Sequence, residues 1–193
     1  MRINRIICFG DSLTYGWDPT LPIGGQYDSS HRWPDIIGNK LGCNTVNLGM
    51  PGREIPRQGY ATDCAVSEIR KHSPSDLLII MLGTNDLLNS YAPDERRVSD
   101  KMKTFVERLQ QEFCDTPILL ISPPRVNIGL IPAGVAVERL SSLYSSLSKC
   151  KDLAFLDASA IDLPLAFDGI HLTESANVLL AEEILIVLGK IIE

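Results

Sequence analysis

The chain lacks any apolar run approaching the roughly 20 residues of a membrane-spanning helix; its longest, 77–82 and 184–188, fall far short. That excludes a helical membrane span. The N-terminal stretch Met1-Arg2-Ile3-Asn4-Arg5 runs into Asp11 too soon for a signal-peptide core and carries no cleavage site, so a cytoplasmic location is expected. Positive charge is not in excess, and a formal net charge of -6 argues against a nucleic-acid groove or an anionic membrane surface as partner. The five cysteines are odd in number, widely spaced and without a C-x-x-C pair, which argues against a disulfide framework and against a zinc site. They are expected to be reduced, with Cys8, Cys43, Cys64 and Cys114 as small core residues and Cys150 partly exposed. Internal repeats and low-complexity segments are absent too.

What is present is an ordinary globular composition over 193 residues, which fits one domain spanning 1–193. Short apolar runs rich in β-formers recur at 5–9, 45–48, 77–82, 118–122 and 154–157. Between them lie segments of helical periodicity, predicting helices at 34–41, 59–71, 94–113, 137–149 and 173–190, the last with Thr173 as N-cap. The clearest is 94–113, where Val98, Met102, Phe105, Val106, Leu109 and Phe113 form one apolar stripe. The run 77–82 is continuously apolar rather than alternating, as a strand buried on both faces should be. This pattern predicts a three-layer α/β/α sandwich around a central, mainly parallel five-stranded sheet. Gly/Pro-rich loops at 18–25, 49–59 and 123–134 follow strands, where open α/β sheets place their ligand sites.

Chemistry concentrates at those strand ends. Gly10-Asp11-Ser12-Leu13-Thr14 follows the first apolar run and puts a hydroxyl nucleophile there. Of three histidines, His31 and His72 sit in or beside expected helices, whereas the third lies in the Gly-containing turn Asp168-Gly169-Ile170-His171; the spacing lets Asp168 reach Nδ1 and leaves Nε2 facing outward. Asn85, in Gly83-Thr84-Asn85-Asp86, can offer a side-chain amide to an oxyanion, and Gly52 can offer an unobstructed backbone N–H. Each motif taken singly also fits simple turn chemistry. Tyr15, Trp17 and Trp33 flank the nucleophile in sequence and fit either a substrate pocket or packing. Arg53 reads as a structural hydrogen-bonding residue, and Asp11 and Asp86 as loop anchors.

In order and spacing, the four blocks around Ser12, Asn47 to Gly52, Gly83 to Asp86, and Asp168 to His171 resemble the SGNH, or GDSL, hydrolase family. Cys8 to Thr14 with Gly16-Trp17, and Ser122-Pro123-Pro124, are similar to its bacterial aryl-esterase and acyltransferase/perhydrolase branch. The resemblance implies a flavodoxin-like fold, Ser12 as nucleophile, His171 as base, and Asp168 as its partner. It further implies an oxyanion hole of Ser12, Gly52 and Asn85, substrate contacts from Tyr15 and Trp17, no metal or cofactor, and a homo-oligomer. The Gly-x-Ser-x-Gly elbow of α/β-hydrolases is absent.

The expected reaction is hydrolysis of a small-molecule ester, a short-chain aryl or alkyl acetate, through an acyl-enzyme on Ser12. A carbohydrate O-acetyl esterase or an acyl thioesterase are the alternatives within the same chemistry. From other classes come a metal-dependent phosphoesterase using Asp11, Asp86, Asp168 and His171 as ligands, and a non-catalytic ligand-binding module.

Overall fold

A computed structural model of the protein describes residues 3–21, 23–90, 92–128 and 131–192, without the side chains of 131–134 and 192. Met1 and Arg2 of the N-terminal stretch, Pro22 of the loop expected at 18–25, and Gly129 and Leu130 of that expected at 123–134 lie outside the described residues. In chain order the elements are β1 (Arg5–Gly10), α1 (Ser12–Tyr15), β2 (Trp17–Asp18), β3 (Gly25–Gln26), α2 (Trp33–Leu41), β4 (Asn44–Gly49) and α3 (Tyr60–Arg70). There follow β5 (Leu77–Met81), α4 (Thr84–Leu88), α5 (Glu95–Glu112), β6 (Ile118–Ile121), α6 (Ile131–Lys151), β7 (Ala154–Leu156) and α7 (Glu174–Ile192).

All five expected strands pair, in the order β4-β1-β5-β6-β7, and every pairing is parallel. Strand side chains alternate between the two faces. Ile6, Cys8, Leu77, Ile79, Met81, Leu119 and Ile121 join α2 and α7 in one core. Ile7, Phe9, Leu78, Ile80 and Leu120 join α3, α5 and α6 in the other. A sheet covered on both faces has no solvent side, which is why β5 is apolar at every position. The molecule is thus a three-layer α/β/α sandwich.

Helix ends follow local chemistry. The Asp94 carboxylate accepts the Arg97 N–H at 3.0 Å and starts α5, whose stripe of Val98, Met102, Phe105, Val106 and Leu109 is buried. Thr173 Oγ1 accepts the Ala176 N–H at 3.2 Å at the start of α7. Pro34 occupies the first turn of α2, where no intrahelical N–H is needed, and Gly42 closes that helix with φ 63°.

Three expectations are corrected. Helix α6 begins at Ile131 rather than 137: Pro132 is tolerated in a first turn, and the weak intrinsic propensity of Gly134, which had marked a loop, does not stop the helix. The short hairpin β2–β3 and the single-turn α1 and α4 are too brief to show periodicity. Of the five free cysteines only Cys8 is buried; Cys43 is partly covered, and Cys64, Cys114 and Cys150 are exposed. Apolar neighbours in sequence did not decide this: on α3 the inward positions are Thr62, Ala65, Val66 and Ile69, and Cys64 faces away from them.

The fully buried Ile79 sits in the middle of the central sheet. Ile79→Ala should cost about 2–5 kcal/mol and Ile79→Val about 0.5–1.5 kcal/mol of stability. Urea unfolding of the two variants checks this, and equal losses would show that the site repacks.

Candidate active site

Because the sheet is parallel, every strand delivers its carboxyl end to the same edge. Gly10 is level with Gly49 on one side and Met81 on the other. The segments that follow, 11–12, 50–52 and 82–85, therefore leave three adjacent strands side by side. They do so where the connections run outward from β1 to either side, the position at which such sheets bind ligands.

Ser12 is the first residue of α1 and is 7% exposed. Asp11 caps this turn, its Oδ1 accepting the Leu13 N–H at 2.9 Å, and Gly16 ends it with φ 82°. The Asn47 amide, at the end of β4, donates to the Thr14 carbonyl at 2.9 Å, and Gln26 from β3 donates to the Tyr15 carbonyl at 2.7 Å. Gly49 is pressed so closely on this turn that a Cβ there would lie 2.1 Å from the Tyr15 nitrogen. The Ser12 turn is thus held by the Asp11, Asn47 and Gln26 side chains and by the close approach of the Gly49 backbone.

His171 comes from the long connection between β7 and α7. Its Nε2 lies 3.0 Å from Ser12 Oγ, and its Nδ1 lies 2.6 Å from Asp168 Oδ2. The other carboxylate oxygen, Oδ1, accepts the N–H groups of Ile170 and His171, each at 3.0 Å, which folds the tetrapeptide into a tight turn with Gly169 at φ 69°. Burial raises the Asp168 pKa, but the His171 ring and these two N–H groups outweigh it and leave the carboxyl below its ordinary value. Asn127, in the segment after β6, clamps the turn from outside. Its N–H donates to the Gly169 carbonyl at 2.7 Å, and its own carbonyl would lie 1.9 Å from a Cβ on residue 169.

Gly52 occupies the third position of the turn Met50-Pro51-Gly52-Arg53, closed by the Arg53 N–H on the Met50 carbonyl at 3.1 Å. Proline second and a glycine of φ 77° third is the type II pattern. Asn85 lies in α4, and its amide donates to the Arg53 carbonyl at 3.0 Å, leaving its second N–H available. Among the described residues, neither the Ser12 N–H nor the Gly52 N–H has a protein acceptor. Three donors are thus left open at the sheet edge that carries the Ser12–His171 pair, a set of groups that acyl transfer can use.

Trp17 stands over the site, with its ring centroid 6.0 Å from that of His171 and 6.4 Å from that of Tyr15. Trp33 does not line the site. It is fully buried beneath the Ser12 turn, where its indole N–H donates to the Leu13 carbonyl at 3.0 Å. Asp86 is an anchor: it accepts the Ile55 N–H at 2.9 Å and the Lys101 ammonium at 2.6 Å. Asp11, Asp86, Asp168 and His171 do not converge, and the described residues contain no group of three or more His, Cys, Asp or Glu side chains placed to hold a metal ion. The sequence reading did not single out Asn127 or Gln26, and neither carries a local signal.

Asp11 is 1% exposed and its Oδ2 is buried without a hydrogen-bond partner among the described residues. Burial, with a smaller push from the Asp86 charge, raises its pKa to about 7, against the Leu13 N–H and the Thr84 hydroxyl, which favour the anion. The native state then holds a proton that the unfolded chain releases, so this group costs stability as pH rises from about 4 to about 7. Asp168 has the opposite sign: its contribution is present above the ordinary carboxylate pKa and is lost as pH falls through its depressed value. Asp11→Asn should therefore reduce the loss of stability between pH 5 and pH 8, measured by chemical denaturation at both pH values. An unchanged difference would mean that Asp11 does not hold this proton.

Comparison with known proteins agrees with this geometry. The GDSL-like lipase/acylhydrolase family matches residues 8–178. An aryl esterase from M. smegmatis is 26% identical, with a TM-score of 0.82 over 95% of this chain and 99% of that one. A putative arylesterase from Agrobacterium tumefaciens is 26% identical, with a TM-score of 0.81 over 94% and 96%. A carbohydrate acetylesterase from Sinorhizobium meliloti is 25% identical, with a TM-score of 0.82 over 97% and 99%. No curated protein sequence matches the chain. Nearly the whole of its length carries the family match, and the chain belongs to the GDSL-like lipase/acylhydrolase family and is a carboxylic ester hydrolase.

Proposed function

We propose that the protein is a serine esterase that hydrolyses short-chain carboxylic esters through an acyl-enzyme on Ser12, within one domain spanning 1–193. The observation that carries this reading is the continuous relay of 3.0 Å from Ser12 Oγ to His171 Nε2 and 2.6 Å from His171 Nδ1 to Asp168 Oδ2. Neutral His171 takes the Ser12 proton at Nε2 as Oγ attacks the ester carbonyl. Asp168 holds the Nδ1–H tautomer and stabilises the imidazolium. The tetrahedral oxyanion is met by the N–H groups of Ser12 and Gly52 and the free amide N–H of Asn85. His171 then passes its proton to the leaving alcohol, and water, deprotonated by the same nitrogen, releases the acid and returns the proton to Ser12.

A short acyl group is favoured by the Trp17 ring beside His171, which limits room at the reacting carbon. An aryl or alkyl acetate fits this arrangement, and so does an O-acetylated sugar. The likeness to an aryl esterase and to a carbohydrate acetylesterase supports each of these about equally.

Turnover of p-nitrophenyl esters from acetate to palmitate, with and without chelator, tests the reading. The expected result is chelator-insensitive activity that falls with chain length. Ser12→Ala and His171→Ala should abolish it, and Asn85→Ala should lower kcat by about 100- to 1000-fold. Full activity in Ser12→Ala would sink the mechanism, and chelator-sensitive activity would move the chemistry to a metal.

A further inference from the structure

We propose that Arg53 is a positioning residue of the esterase site, using its backbone and its side chain together to hold the segments that carry Ser12, Gly52 and Asn85 in mutual register. The proposal rests on the acyl-enzyme reading above and assigns Arg53 no contact with substrate.

Each segment has its own bond to this one residue. The guanidinium Nη1 donates to the Gly10 carbonyl at 3.3 Å, two residues before Ser12. The same nitrogen donates to the Leu48 carbonyl at the end of β4, from which the Gly52 turn departs. The Arg53 N–H closes that turn on Met50, and the Arg53 carbonyl accepts the Asn85 amide at 3.0 Å. The bond to Arg53 uses one Asn85 N–H and so aims the other. Nη2 is anchored to both carboxylate oxygens of Glu68 on α3, at 3.0 and 3.2 Å, and the guanidinium lies 4.0 Å from the centre of the Phe9 ring.

Stability alone is a poor reason for this arrangement. The Arg53 side chain is 8% exposed, and burying a guanidinium costs desolvation that an apolar side chain of similar volume would avoid. A planar fork of donors can join two carbonyls and a carboxylate at fixed angles, which neither an apolar side chain nor a lysine can do. The three oxyanion donors come from segments separated by up to 73 positions, so their relative placement needs a rigid cross-link. Arg53 is bonded to all three.

The test is a double-mutant cycle on p-nitrophenyl acetate, with thermal melting and labelling of Ser12 by a serine-directed fluorophosphonate as further readouts. Arg53→Met should lower kcat about 100-fold while KM stays within about threefold, with Arg53→Lys intermediate, because the lost interaction acts in the transition state. In an Asn85→Ala background the same change should cost about tenfold or less, because one donor that it positions is already gone. Labelling should slow in parallel with kcat. Should Arg53→Met not fold, Glu68→Gln, which alters only the partly exposed anchor, reads the same non-additivity in the same cycle. A lower melting temperature with unchanged kcat, or losses that simply multiply, would overturn the proposal while leaving the esterase reading intact. Absence of both turnover and labelling in the wild type would overturn the reading and the proposal together.

Discussion

Parallel pairing of β4, β1 and β5, with Gly10 level with Gly49 and Met81, is the constraint on which everything else rests. It sends three chain segments out of the sheet at one edge and at one height. Ser12, Gly52 and Asn85 follow the ends of these strands by two, three and four residues. A one-residue slip of either neighbour would move its donor by about 3.3 Å, the rise per residue of a parallel strand, which exceeds the tolerance of a hydrogen bond. The two apolar cores that lock this register lie under and over the same strands. Fold stability and the relative placement of Ser12, Gly52 and Asn85 are consequently set by one set of contacts.

Charge is used sparingly around the edge, and each buried charge has a stated partner or a stated cost. Asp168 is satisfied by an imidazole and two backbone N–H groups. Arg53 is met by carbonyls and Glu68. Asp86 is paired with Lys101. Asp11 is the exception: burial raises its pKa, and among the described residues one of its oxygens has no hydrogen-bond partner.

Much of the fold was legible because its signals are local. Five short apolar runs report burial through their continuity and the stripe from Val98 to Leu109 through its period of 3.6 residues, and α5 was delimited by Asp94 to within a residue. The motifs were legible because Gly52 and Gly169 occupy positive φ, and Pro51-Gly52 specifies a turn type. Trp33 and the cysteines were not. Trp33, 21 positions after Ser12, is buried under the Ser12 turn, and Cys64, followed by Ala65 and Val66, faces solvent. Which side of a short element is covered depends on segments far away in the chain. Asn127 was invisible for the same reason, since its partner is 42 positions distant and the bond runs through backbone atoms that any residue carries.

The sequence by itself determined the inventory: strands and helices in alternation, a serine after the first strand, a turn glycine and an amide after the second and third, and an aspartate three residues before a histidine. These follow from residue type and spacing, which act over one or two turns of chain. Only the tertiary structure decided that His171 closes on Ser12 across 159 positions, that Asn127 clamps the histidine turn, and that one arginine is bonded to three strand ends. Those contacts depend on the twist and layering of the whole sheet. Local propensity cannot carry that information, because the distance between two loops is set by the packing beneath them.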